Sequence, residues 1–64
     1  MNPVHAITYR YGITQRVAAL ACLMHAKKSG TYESISPIEA AENFEKLDLQ
    51  TRNQFVIEAV MQCG

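Results

Sequence analysis

Residues 17–24, VAALACLM, are eight apolar residues in succession within a chain of 64. A surface helix needs one apolar stripe, about 100° wide, with polar residues opposite. This segment has no polar side for about two turns, so whatever fold forms must cover it all round. Small domains have little to cover it with. A chain near this length buries only about 60% of the surface its unfolded form exposes. Disulfides, a metal or oligomerisation usually make up the deficit. The 48% apolar content is that of a folded domain rather than a disordered segment.

Two cysteines are present, Cys22 inside the apolar run and Cys63 near the end. The opening MNPVHAITYRYG has neither the basic region nor the long apolar stretch of a secretion signal. The apolar run is also far short of the roughly 20 residues that span a bilayer. These features predict a cytoplasmic protein with reduced thiols and no membrane segment. Oligomerisation is then the remaining route to a sufficient core.

Formal net charge is zero, but the charges are segregated. Residues 1–30 carry Arg10, Arg16, Lys27 and Lys28 and no acid, giving +4. Residues 31–64 carry six acids against Lys46 and Arg52, giving −4. Such asymmetry suits a basic face for an anionic partner, or two halves that attract each other within or between chains.

The segment VHAITYRY (4–11) alternates, with His5, Ile7, Tyr9 and Tyr11 on one side and Val4, Ala6, Thr8 and Arg10 on the other. Period two with β-branched and aromatic residues predicts a strand, with Pro3 before it and Gly12 after. A lone strand leaves its backbone groups unpaired. The same strand of a second copy, paired antiparallel across a two-fold axis, would satisfy them.

A helix is predicted over about 14–29, capped by Thr14, basic in its last turn and stopped by Gly30. GTYESI (30–35) connects it to the strongest local signal, Ser36-Pro37-Ile38-Glu39. A hydroxyl at the cap, proline at the first helical position and glutamate at the third form a capping box. No glycine or proline follows until residue 64, which predicts a helix over about 36–62. Ile38, Ala41, Phe44 and Leu47 make one stripe; Phe55, Val56, Ala59 and Val60 make another. They join at Leu47-Asp48-Leu49, where Asp48 could cap a second segment. One long helix kinked near 47–49 is the first expectation, and two consecutive helices the alternative.

The expected architecture is therefore a single domain, 1–64, mostly α with one short N-terminal strand. A strand–helix–helix protomer would form an intertwined homodimer. Its interface would hold Ile7, Tyr9, Tyr11, Val17, Leu20, Leu23, Met24, Phe44 and Phe55. An unpaired strand and a helix without a polar side both ask for the same second chain.

Chemistry-bearing constellations are sparse. Cys22 and His25 stand one helical turn apart, but a closed zinc site needs four ligands and only the distant His5 and Cys63 remain. A buried thiol and a helix-end histidine account for the pair. Nothing marks a nucleophile with its base and orienting group, a phosphate cradle or paired catalytic carboxylates. No enzymatic activity, cofactor or metal is expected. Glu39, Glu42, Glu45 and Asp48 recur every three residues, which suits an acidic stripe that docks a basic partner but more often marks the solvated face of an amphipathic helix.

Two functional readings fit this layout. A strand followed by two helices, dimerised through the strand, is the plan of ribbon-helix-helix DNA-binding regulators, with Thr8 and Arg10 entering the major groove. Zero net charge and the acidic second half count against that, because phosphate neutralisation supplies most non-specific DNA affinity. The other reading is protein–protein contact. Ile57 and Met61 are apolar residues beyond what one core stripe needs, and with Met24 they could line a groove for a partner's amphipathic helix.

In length and in the order VHAITYRY, ITQRVAALACLMHAKK, SPIEAAENFEKLDLQTRNQFVIEAVMQ, the whole chain resembles the small early proteins of lambdoid phages encoded between the exonuclease and excisionase genes. The resemblance implies a non-enzymatic dimer that acts early in the infected host cytoplasm and favours lytic development. It implies no functional residues of its own.

Overall fold

The computed structural model describes residues 2–63. They form four helices and no strand: α1 (Pro3–Tyr11), α2 (Gln15–Ser29), α3 (Pro37–Glu45) and α4 (Leu49–Cys63). The apolar run lies in α2, which packs against each of the other three helices. Its inner side is small: Ala18, Ala21, Cys22 and Ala26 are all buried. Small side chains let neighbouring helices approach closely, so a 15-residue helix can serve as the centre of the core.

The expected strand over 4–11 is a helix, and this overturns the strand-paired, intertwined dimer built on it. The reason is local and tertiary at once. The Asn2 side chain accepts a hydrogen bond from the Val4 amide at 2.9 Å, Pro3 takes the first helical position, and Gly12 ends the helix at φ 64°. The Gly12 amide donates to the Thr8 carbonyl at 2.9 Å. Val4, Ile7 and Tyr11 then share one helical face, with Val4 and Ile7 buried and Tyr11 packed against the core. Short apolar patterns fit both periods, and here burial of one helical face against α2 and α3 prevails over the β-propensity of Val, Ile, Thr and Tyr.

The second expected helix is two. A continuous helix from 37 to 62 would be about 39 Å long, whereas the longest dimension of the molecule is 28 Å. Breaking the chain returns the buried part of each stripe, Ala41 and Phe44 in α3 and Phe55, Val56 and Ala59 in α4, to α2. The turn begins where the Leu47 amide donates to the Phe44 carbonyl at 3.1 Å. Asp48 then starts α4, its carboxylate accepting from the Thr51 hydroxyl at 2.6 Å and the Thr51 amide at 3.2 Å. Those bonds, the hydroxyl first, hold the Asp48 carboxyl below its ordinary pKa of 3.8.

The other caps follow the sequence reading. The Thr14 hydroxyl accepts from the Val17 amide at 3.2 Å, and the Ser36 hydroxyl from the Glu39 amide at 3.2 Å. The Ser36 hydroxyl also donates to the Glu39 carboxylate at 3.5 Å. Gly30 closes α2 at φ 77°. Between α2, α3 and α4, the rings of His25, Phe44 and Phe55 meet edge to face with centroids 5.6 to 6.3 Å apart. Such contacts fix ring orientation beyond what area burial alone would.

Charge segregation acts within the chain. Glu45, at the end of α3, pairs with Arg10 of α1 at 2.9 Å and with Arg52 of α4 at 3.7 Å. The basic first half and the acidic second half are thus joined at one carboxylate. Among the described residues no helix is long and apolar enough to cross a membrane.

Candidate docking surfaces

Three sides of α2 are taken by other helices; one is left. Arg16, Ala19, Leu20, Leu23 and Lys27 follow one another at spacings of three, one, three and four residues, along the outward strip of the helix. Ala19 is exposed and Leu20 and Leu23 are half-buried. The first turn of α3 lies beside this strip, where Pro37 and Ala40 form the opposite wall of a trough of about 470 Å³. Arg16 is the single charged residue lining it. A second depression of about 280 Å³ shares Leu23, Pro37 and Ala40 and extends toward Tyr32 and Ile35. Together they make one apolar channel along α2.

A second uncovered region lies on the far side of α4. Phe55, Val56 and Ala59 face the core, so Ile57 and Met61 project away from it, 59% and 75% exposed. Val60 flanks them at 44%. The structure does not bring Met24 to this stripe. Met24 instead lines a depression with Lys27, Lys28, Phe55 and Glu58, so the expected three-residue groove divides into two separate places.

The residues expected at a dimer interface divide by depth. Ile7 and Phe44 are fully buried and Phe55 is 9% exposed, so all three lie in the chain's own core. Tyr11, Val17, Leu20 and Met24 lean on that core while remaining half-exposed, and Leu23 lines the trough. Tyr9 is 89% exposed on the solvent side of α1.

The residues expected to read DNA are occupied otherwise. Thr8 donates its hydroxyl to the Val4 carbonyl at 3.0 Å, and Arg10 is bonded to Glu45. With α1 helical, the ribbon that would have carried Thr8 and Arg10 into a groove is not formed.

Cys22 and His25 also separate chemically. The thiol is buried, and burial first, then the negative charge of Glu45, pushes its pKa from 9.0 to about 11. A thiol so placed is protonated at neutral pH and a poor nucleophile. His25 sits in the aromatic cluster with its Nε2 3.3 Å from the Ser29 hydroxyl. Among the described residues no three histidine, cysteine or acidic side chains converge as metal ligands do. Cys63 is free and exposed at the rim of the trough.

The α3 wall of the trough is what sequence reading missed. Ala19, Leu20 and Leu23 were visible as apolar residues with no polar side, but Pro37 and Ala40 join them only through tertiary packing. Compared with known proteins, the chain matches no family model, no curated protein and no solved structure.

Proposed function

We propose that this chain is a non-enzymatic binding protein that acts by protein–protein contact and works as a homodimer of side-by-side helical protomers. The observation that carries this reading is the pair of apolar surfaces, on α2 and on α4, that a 64-residue chain leaves uncovered after forming its core. Exposed apolar residues scattered singly need no partner, whereas contiguous ones rimmed by polar residues mark interaction sites. Self-association is assigned to the α4 stripe, where Ile57 and Met61 stand one turn apart with Val60 beside them.

The resemblance in length and segment order to the small lambdoid early proteins supplies the setting: the cytoplasm of an infected host, early, with an effect in favour of lytic development. The expected partner is a host or phage protein rather than nucleic acid.

Sedimentation velocity at micromolar concentration tests the reading. The native chain is expected to run as a dimer, and Ile57→Asp with Met61→Asp as a folded monomer with unchanged helical circular dichroism. A native chain that stays monomeric to about millimolar concentration overturns the self-association. Both residues are exposed, so the double variant is not expected to unfold the protomer.

A further inference from the structure

The trough on α2 has a feature that the α4 stripe lacks: it is bracketed by positive charge. Arg16 lines one end. Lys27, which itself lines the separate depression of Met24, Phe55 and Glu58, stands near the other, its ammonium 5.0 Å from the centre of the Tyr32 ring that lines the adjoining depression. Neither cation has a carboxylate partner among the described residues, where the ion pairs are those of Arg10 and Arg52 with Glu45. No acidic side chain lines either depression. Eleven residues separate Arg16 from Lys27, which is about 16 Å along a helix, or three turns.

We infer that this trough seats an amphipathic α-helix of another protein, about three turns long, with an apolar ridge against Leu20 and Leu23 and an acidic residue at each end facing Arg16 and Lys27. The inference rests on the protein–protein reading above and names the partner's chemistry.

Charge complementarity selects the occupant. A second copy of α2 would set cations against cations, parallel or antiparallel, and like charges set opposite each other across an interface repel. α1 carries Arg10 and no acid. α3 has Glu39, Glu42 and Glu45, but Ile38 is its one large exposed apolar residue, and the apolar residues that follow it on its stripe, Ala41 and Phe44, are buried in the chain's own core. α4 has the ridge, Ile57 and Met61, but a single acid, Glu58. No helix of this chain supplies both a ridge and two acids at that spacing. A foreign helix is therefore the fitting occupant, seated as amphipathic helices seat in grooves elsewhere.

The test uses the full chain and two labelled synthetic helices of roughly fourteen residues. Both carry a leucine ridge; one has glutamates eleven apart, the other lysines at the same places. Fluorescence anisotropy should show the glutamate peptide binding at least about tenfold tighter than the lysine peptide, with affinity falling as salt is added. Arg16→Glu with Lys27→Glu should reverse that preference. Both residues are exposed, so a melting curve near that of the native chain is expected for the double variant.

Equal binding of the two peptides, or no binding of either, overturns the inference. So does peptide binding that survives the charge reversal but is lost in Ile57→Asp with Met61→Asp. That last outcome would leave the general protein–protein reading standing on α4. A monomeric native chain that binds neither peptide removes both.

Discussion

α1 and α3 are built alike: nine residues each, a polar cap, proline in the first helical position, and two or more residues buried against α2. Their sequences read very differently. PIEAAENFE offers strong helix formers and a stripe at helical spacing. PVHAITYRY offers β-branched and aromatic residues that alternate. The same architecture is therefore reached once with the help of propensity and once against it. In α3 intrinsic preference and burial agree; in α1 the cap at Asn2, the left-handed stop at Gly12 and the burial of Ile7 outweigh it.

Side-chain truncation tests how much each helix contributes to the shared core, and has the largest expected effect. Phe44→Ala in α3 should destabilise by about 3–5 kcal/mol, and Ile7→Ala in α1 by about 2–5 kcal/mol. Denaturant unfolding of both variants measures this. A loss under about 1 kcal/mol for Ile7→Ala would mean that α1 is not part of the core.

The Cys22 thiol reports on whether both helices close over α2, because Val4 of α1 and Ala40 of α3 line the trough beside it. Its folded pKa, about 11, lies above the ordinary 9.0. The contribution is present in full below 9.0 and is lost as pH rises toward 11, since the unfolded chain releases the proton first. Stability should therefore fall across that alkaline window, and the fall should shrink in Cys22→Ala. Iodoacetamide should modify exposed Cys63 well before Cys22. Equal reactivity of the two thiols would indicate that α1 or α3 stands open.

Backbone and cap changes have smaller effects and sharpen the comparison. Beyond its own chain neighbours nothing lies within 4 Å of where a Gly12 Cβ would stand, so Gly12→Ala tests the left-handed conformation alone. It should cost about 1–2 kcal/mol. Asn2→Ala and Ser36→Ala should each cost about 1 kcal/mol, because both side chains accept a first-turn amide. A loss at Ser36 with none at Asn2 would leave α1 held by packing only.

Much of the fold is legible in the sequence wherever a local signal and the core demand coincide. Thr14, Gly30 and Ser36-Pro37 mark helix ends by side-chain and backbone chemistry that operates within a few residues. Phe44, Phe55, Val56 and Ala59 are buried as their stripes predict, whereas Ile38 and Val60 of the same stripes stay 51% and 44% exposed. The same punctuation stood at Asn2-Pro3 and Gly12, and Val4, Ile7 and Tyr11 have helical spacing. Alternation over so short a stretch masked them. The break before Asp48 is legible as a capping residue, but the choice between a kink and two helices depends on the length of α2, a tertiary quantity. The candidate site divides in the same way. Ile57 and Met61 were legible as surplus apolar residues, whereas the trough was not, because its α3 wall comes from packing.

Residues 3–11 form a helix whose Ile7 closes the core of its own chain. Isotope-filtered NMR on an equimolar mixture of labelled and unlabelled protein tests it most directly. Helical chemical shifts throughout Pro3–Tyr11 are expected, with Ile7 contacts to α2 and α3 that appear only within one chain. Extended-strand shifts over 4–11, or Ile7 contacts that cross between labelled and unlabelled chains, would contradict it.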